Sequence, residues 1–543
     1  MKKMIVRFLS VCIVLSMSLL AVSGCGNKNQ GGNSSKPGEV ESVTFPLEKP
    51  VTFTFMIQGT KSTSFDKDLE NNALWQELKE KTNVNIEFQF LGDTPSEKLT
   101  LLISGNTYGD VLWGGPILSS VEASKYIASG KLLDLTAYIN EDLMPNLCAD
   151  MAETPAMKNM ITGYDGKIYT LPKITGLEGN YLESPIWINK AWLDKLGLSI
   201  PTTIDEFTNV LRAFATQDPN GNGLPDEIPY ICSTSSTSMH TEALLGMWGI
   251  ATKDGVNDSY VQVKDGKVTF VPITDEYKEG VKYLRTLYTE GLMWSECFTA
   301  NESTLNAKLT SETCVVGCFT APTPAETEYQ DDYVCIYPPK VEGYEPCWYY
   351  HPAINGSKNQ FFVTDKCKNV SVLMAWVDQL YDLDTAMRFE NGNVGEGRME
   401  MTDDGKYQVL ELDMLTRAKL NKEKPTLYSL MGNSIRSITK SDYATKISLS
   451  EYDKTLQNNY SIYKDIINDE LWPRPYYSAA ESYDADIYFT DIDYQIRTNR
   501  SLWITGKSDI DKDWNGFVQK IQSLNLDKYI SILQNAYDAY LQK

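Results

Sequence analysis

The residues best spaced for chemistry lie between 218 and 227, where the chain reads Asp218-Pro219-Asn220-Gly221-Asn222-Gly223-Leu224-Pro225-Asp226-Glu227. Side-chain oxygens fall at the first, third and fifth positions, and a glycine at the sixth. That is the opening half of an EF-hand loop, in which alternate side chains turn inward while the glycine makes a sharp bend. Asp218, Asn220 and Asn222 are the candidate side-chain ligands. Leu224 offers a carbonyl, and Asp226 and Glu227 complete a shell of hard oxygens. The pattern departs from an EF-hand at the twelfth position, where Pro229 stands in place of a bidentate Glu. The expected cofactor is calcium in a fold-stabilising role. A polar Asn-Gly turn without metal is the competing reading.

A second chemistry is carried by rings. The chain has 11 Trp, 32 Tyr and 17 Phe. Sugars stack their C–H faces on aromatic rings while a few placed polar groups fix the hydroxyls, so rings near strand ends or loops are the candidates. These are Trp113, before Gly114-Gly115; Tyr181 and Trp187; Trp248, after the Ser/Thr-rich run 233–238; Trp348 and Tyr349; and Trp472, beside Pro473. Glu396 and Arg398 are polar candidates. Core packing is the competing role for each ring. No Gly-x-Ser-x-Gly or His-Glu-x-x-His motif occurs, so no catalytic residue is assigned and no enzyme activity is expected. His240 and His351, the only histidines, are too few for a zinc site of the usual kind.

The third feature is at the start. Lys2, Lys3 and Arg7 precede an apolar run over residues 8–22, which ends in Leu20-Ala21-Val22-Ser23-Gly24-Cys25. The run is short for a bilayer span and suits a signal peptide. Small residues directly before Cys25 resemble the bacterial lipobox, which implies cleavage before Cys25 and acyl chains (diacylglycerol, palmitate) on the new terminus. Residues after Cys25 are Gly, Asn, Ser, Gln and Lys with almost nothing apolar, a flexible tether. The expected location is the outer face of the cell membrane, by a lipid anchor.

Charge narrows the partners. The formal net charge is −22 and no basic cluster is visible, which excludes a nucleic-acid surface. A hydrophobic content of 42% is ordinary for a globular protein, and 543 residues exceed what one core supports, so two or three domains are expected. Ten cysteines lack a repeating framework; beyond Cys12 and Cys25 they are read as buried thiols.

Strands and helices that would position these groups alternate along the chain. Residues 51–56 alternate apolar and polar. A helix follows with Leu74, Trp75 and Leu78, then a strand with Val84, Ile86, Phe88 and Phe90 on one face. Another short strand reaches Trp113. Thr203 and Glu206 form a capping box ahead of the apolar face Phe207, Val210, Leu211 and Phe214. A helix near 283–290 stops at Gly291, residues 361–363 read as a strand, and the last helices carry Trp514, Phe517, Leu526 and Leu533. Strands separated by helices predict an α/β class, with ligands at the strand ends.

Several blocks together resemble a known family. They are Ser104-Gly105-Asn106-Thr107-Tyr108-Gly109-Asp110-Val111, Asp165-Gly166-Lys167-Ile168-Tyr169-Thr170-Leu171-Pro172, Asn189-Lys190-Ala191-Trp192-Leu193, Leu287-Tyr288-Thr289-Glu290-Gly291-Leu292, and Ile504-Thr505-Gly506-Lys507 with Asp513-Trp514. In their order and spacing the chain is similar to the large lipid-anchored solute-binding proteins of oligosaccharide ABC importers, the lipoprotein A-like and alginate-binding branch. The resemblance implies a two-lobed, periplasmic-binding-protein-like fold with a cleft between the lobes. It implies crossovers near 171–181 and 350–361, and a structural calcium site at the Asp218 loop. It also implies a monomer whose partners are an oligosaccharide, the permease subunits of an ABC transporter and, through its anchor, the membrane. The expected parts are a signal peptide (1–24), a tether (25–49), a first part of the N-lobe (50–175), a C-lobe (176–355), an N-lobe return (356–400) and a helical C-terminal region packing on both lobes (401–543). Two alternatives stay open: a surface glycoside hydrolase, which needs only two of the 72 acids at the right separation, and the binding component of a membrane sensor.

Overall fold

The computed structural model describes residues 40–542, apart from 116, 178, 181, 252–259, 351–357, 433–434, 469 and 471. Cys25 and Tyr181 lie outside the described residues. Order starts with β1 (Val51–Ile57), whose inward residues Phe53 and Phe55 are buried while Thr52 is exposed. Beside it run β2 (Val84–Phe90) and β3 (Val111–Trp113), both parallel to β1, in register Val51↔Val84 and Phe55↔Val111. Helix Ala73–Thr82 makes the first crossover. Asn72 starts it by accepting the Trp75 N–H, and Asn83 ends it in the left-handed region at φ 57°. An N-cap such as Asn72 contributes about 1 kcal/mol.

Phe53, Phe55, Ile57, Trp113, Leu373 and Trp376 form the core on one face of this sheet, and Met56, Leu99, Leu112 and Tyr126 a smaller core on the other. Burial on both faces explains why β3 reads as a continuous apolar run.

The chain leaves this core after Leu171 and enters a second one at Leu182. A two-stranded pair lies on the way, Ile174–Thr175 (β4) against Ser437–Ile438. In the second core the sheet is small and antiparallel. Ile186–Asn189 (β5) lies between Cys318–Thr320 (β8) and Tyr333–Ile336 (β9), while the hairpin Val261–Lys264 (β6) and Lys267–Phe270 (β7) stands apart. The capping box forms as the sequence requires. Thr203 accepts the Glu206 N–H at 3.2 Å, Glu206 accepts the Thr203 N–H at 3.2 Å, and helix Ile204–Thr216 buries Phe207, Leu211 and Phe214. Helix Asp275–Thr289 extends further toward the N-terminus than its apolar spacing marks, and Gly291 turns the chain at φ 72°.

After Trp348 the chain returns to the first core at Phe361–Val363 (β10), antiparallel to β3. The C-terminal region then divides. Leu427, Met431 and Ile435 belong to the first core, and Tyr463 to Tyr537 supply much of the second. Helix Ala479–Ile504 touches both lobes. It packs against Ser120–Ala128 of the first and against Asp275–Thr289 and Leu526–Leu541 of the second. All eight cysteines from Cys148 to Cys367 are free thiols, and those in the cores pack as small apolar groups. Among the described residues no helix is long and apolar enough to cross a membrane.

Candidate functional site

Parallel strands β1, β2 and β3 end on one edge of their sheet, and antiparallel β10 begins there. That edge carries Gln58 and Gly59, Gly92, Gly114 and Gly115, and Asn359 and Gln360. Gly59 and Gly92 exchange N–H···O bonds of 3.0 and 2.8 Å, and the Gly114 N–H donates to the Gln360 carbonyl at 3.0 Å. Gly114 sits at φ +93°, where a side chain would be strained. Ligands of open α/β sheets bind at such an edge. Gln360 is only 4% exposed, and its Oε1 accepts no hydrogen bond among the described residues. A buried amide oxygen without a donor is costly, and a hydroxyl or water reaching it would remove that cost.

The second lobe presents the matching edge. Ile186 at the start of β5 pairs with Thr320 at the end of β8 and Ile336 at the end of β9. Three buried rings fix these ends from below. The Trp187 indole donates to the Ala321 carbonyl at 2.9 Å, and the Trp348 indole to the Ser184 carbonyl at 3.0 Å. The Tyr463 hydroxyl donates to the Ile336 carbonyl at 2.8 Å and accepts the Ile186 N–H at 2.9 Å. Half-exposed Tyr337 follows β9, its ring 6.5 Å from that of Tyr463.

A polar seam joins the two edges. Lys358 donates to the Arg474 carbonyl, and its ammonium lies 4.3 Å from the centre of the Tyr476 ring. The Tyr476 hydroxyl donates to Asn359 Oδ1, and Arg474 Nη2 to the Tyr349 hydroxyl at 3.4 Å. Burial pushes the Tyr476 hydroxyl's pKa up, so it stays a neutral donor.

The rings expected to hold a sugar are therefore placed unequally. Trp187, Trp248, Trp348 and Trp472 share the second core, whereas Trp113 belongs to the first. Trp113 is 0% and Trp348 1% exposed. Each packs against a protein ring: Phe55 lies 5.2 Å from Trp113 and Tyr283 5.2 Å from Trp248, both tilted, Tyr463 meets Trp348 edge-on at 5.2 Å, and Tyr537 stacks on Trp472 at 6.4 Å. Tyr349 is half-buried at the seam. Glu396 and Arg398 build their own turn. Glu396 accepts the Asn393 N–H at 3.1 Å, and Arg398 donates to Asn421 Oδ1 at 3.1 Å. Gln58, Asn359, Gln360 and Arg474 were missed because single polar residues carry no period. The strand-end rule, applied to Phe361-Phe362-Val363, was the signal that reaches Asn359 and Gln360.

The Asp218 loop closes on itself. Asp218 has φ 45°, and Gly221 and Gly223 turn the backbone at φ 77° and 75°. The Asp218 carboxylate accepts N–H groups of Gly221 (2.9 Å) and Gly223 (3.2 Å), and Asn222 Oδ1 accepts that of Leu224 (2.7 Å). The side-chain amides of Asn220 and Asn222 donate to Asp226 at 2.9 and 3.0 Å. Asp218, Asn220, Asn222 and Asp226 are thus drawn together, while the Leu224 side chain stands in solvent. Glu227 Oε1 is buried without a hydrogen-bond partner among the described residues. Burial first, then the charges of Asp226 and Asp218, raise its carboxyl pKa. Among the described residues no cluster of three or more His, Cys, Asp and Glu side chains is tight enough to hold a metal. Here two of the donors are Asn, and amide–carboxylate bonds close the loop. The donors are all oxygen, and a carboxylate with one orphaned oxygen adjoins them, so the residues fit a hard cation better than a soft one.

Two α/β lobes, crossed repeatedly by the chain and meeting at strand ends, define a two-lobed, periplasmic-type binding protein. The model of the bacterial extracellular solute-binding protein family matches residues 64–316. The chain is 30% identical over 561 aligned positions to the fructooligosaccharide ABC transporter substrate-binding protein FusA of Streptococcus pneumoniae serotype 4 (strain ATCC BAA-334 / TIGR4), covering 98% of each. It belongs to this family of extracellular solute-binding proteins. Its fold is similar to that of an HMO-binding, ABC-transporter-associated solute-binding protein from Bifidobacterium longum infantis ATCC 15697 (TM-score 0.78, 23% identity, 91% of this chain and 99% of that one). It is also similar to an EF-hand mutant of the S. pneumoniae protein FusA in complex with fructo-nystose (TM-score 0.76, 25% identity, 90% of this chain and 99% of that one).

Proposed function

We propose that the chain captures an oligosaccharide between its lobes, intact, and delivers it to the permease of an ABC importer. The observation that carries this reading is the end-to-end match to a fructooligosaccharide-binding relative, on a chain whose two strand-end edges are joined by a polar seam. Gln360, Asn359, Gln58 and Tyr476 would face the sugar hydroxyls from the first lobe; Tyr349, Arg474 and Tyr337 would meet it from the second. Trp113, Trp187, Trp248, Trp348 and Trp472 would support these edges from within the cores, and Tyr181, outside the described residues, stays a candidate ring by its sequence position alone. In this reading the chain keeps the parts expected from its sequence, with crossovers near 171–181 and 350–361.

In this reading the Asp218 loop holds calcium. Asp218, Asn220, Asn222, Asp226 and Glu227 would supply side-chain oxygens and Leu224 its carbonyl. The ion would offset two of the three carboxylate charges and fix the turn. Lipidation at Cys25 and a monomeric state complete the proposal.

Titration calorimetry on the tether-free protein with fructo-nystose, followed by chromatography of the recovered sugar, tests it. Saturable binding with the sugar returned intact supports transport capture. Shortened products, abolished by replacing one carboxylate, would move the assignment to a glycoside hydrolase.

A further inference from the structure

Helix Ala479–Ile504 turns an unusual face to solvent. Its inner face is ordinary: Ser482, Ala485, Ile492, Ile496 and Trp503 are buried. On the outer face Tyr483 is 67%, Ile487 45% and Tyr494 64% exposed. At spacing i, i+4 and i+11 they make one stripe along the helix. Exposed Asp484, Asp486 and Asp491 flank the stripe, and no Lys, Arg or His occurs from 479 to 496. Exposed apolar residues scattered singly need no explanation, but an aligned stripe with a charged border is the composition of an interface.

The helix is also placed to report on both lobes. Helix Ser120–Ala128 of the first lobe packs against it, and Ser124 Oγ donates to the Tyr477 carbonyl at 3.2 Å, just before it begins. Further along, it packs on three helices of the second lobe, Asp275–Thr289, Ile510–Ser523 and Leu526–Leu541. A partner seated on this face would contact an element whose surroundings change when the lobes move.

We infer that the Tyr483–Ile487–Tyr494 face docks the extracellular surface of the permease, through a patch of that partner that combines apolar and basic side chains. The inference rests on the import reading above. Charge decides among the occupants. A second copy would set the same acids against each other across the contact, and an anionic lipid surface would repel them. A basic protein surface is attracted, and its association is hastened by the field of this strongly acidic chain.

The test is made in the native host, with the full-length chain. Fructo-nystose affinity of each purified variant is measured beside whole-cell uptake of the same sugar. The variant Tyr483→Ser/Ile487→Ser/Tyr494→Ser and the charge variant Asp484→Lys/Asp486→Lys/Asp491→Lys are expected to bind the sugar as wild type does. Each is expected to lower uptake about tenfold, the loss of a modest interface hot spot. Wild-type uptake by both variants overturns the inference. A photoreactive p-benzoyl-phenylalanine at Tyr483, with a control at exposed Leu415, makes the test independent of the sugar. An adduct with an ABC permease subunit from 483 and none from 415 supports docking even if fructo-nystose is not the cargo, in which case the sugar assignment alone fails. No permease adduct from 483, or an adduct with a second copy, refutes it.

Discussion

Replacing Trp348 by Phe separates a supporting ring from a sugar platform. The Trp348 indole donates to the Ser184 carbonyl at 3.0 Å, and Ser184 is itself buried. Its ring meets Tyr463 edge-on at 5.2 Å, and Gly246 gives it room, since a Cβ there would lie 2.4 Å from Trp348 Cε3. Phe removes the donor, leaves the carbonyl unsatisfied and vacates the volume of the second ring. A lost hydrogen bond with a stranded buried acceptor costs about 1–3 kcal/mol, and the partial cavity adds to it, for a total of about 2–4 kcal/mol. The assay is urea denaturation followed by circular dichroism, reading the transition that carries the second core. The midpoint should fall, while Tyr349→Phe, at a half-buried ring, should shift stability by less than about 0.5 kcal/mol. Sugar affinity should fall only as far as the Ser184 edge loosens. If Trp348→Phe leaves the midpoint in place and sharply weakens sugar binding, the ring is a platform and the supporting role is wrong.

Three further outcomes follow from named groups. Removing metal with chelator should lower the melting temperature of fully calcium-loaded wild type, and Asp218→Ala with Asn222→Ala should abolish that sensitivity; an unchanged wild-type curve would count against calcium. Asp150 is pushed up to about 7, by burial first and then by Asp442, Glu153 and Asp378, with a Ser437 hydrogen bond opposing. The unfolded chain titrates near 3.9, so the folded state holds the extra proton between about pH 4 and 7 and stability declines as pH rises through that window. Asp150→Asn should remove that decline in urea titrations across pH, and an identical slope would contradict it. Cys25→Ala should release the protein from the membrane fraction or stall its processing; normal processing with full membrane retention would refute the anchor.

Local rules carried far in this chain. Thr203 and Glu206 specify a helix start through side-chain geometry alone, and the folded chain forms both reciprocal bonds. Gly291 and the alternation in β1 are equally local. The second sheet was less legible. β5, β8 and β9 are three or four residues each, and nothing in 186–189 states that its neighbours come from 318–320 and 333–336, both antiparallel. Helix Ala479–Ile504 left a weak period because Tyr483, Ile487 and Tyr494 put apolar residues on its outer face too. At the candidate site, sequence singled out the loop at Asp218 and rings near strand ends and crossovers. It could not tell which face of a Trp is covered. Trp187 and Trp348 lie at the expected edge but point into the core, and the polar groups that reach the edge, Asn359 and Gln360, become visible only when β10 is paired with β3.

The central claim is that a sugar is held between two lobes that close on it. Small-angle X-ray scattering of the tether-free protein, with and without saturating fructo-nystose, tests it most directly. The account predicts a smaller radius of gyration with sugar, changing over the same concentrations as the calorimetric binding. A radius that stays constant while the sugar demonstrably binds would place the ligand outside the interlobe edges and contradict it.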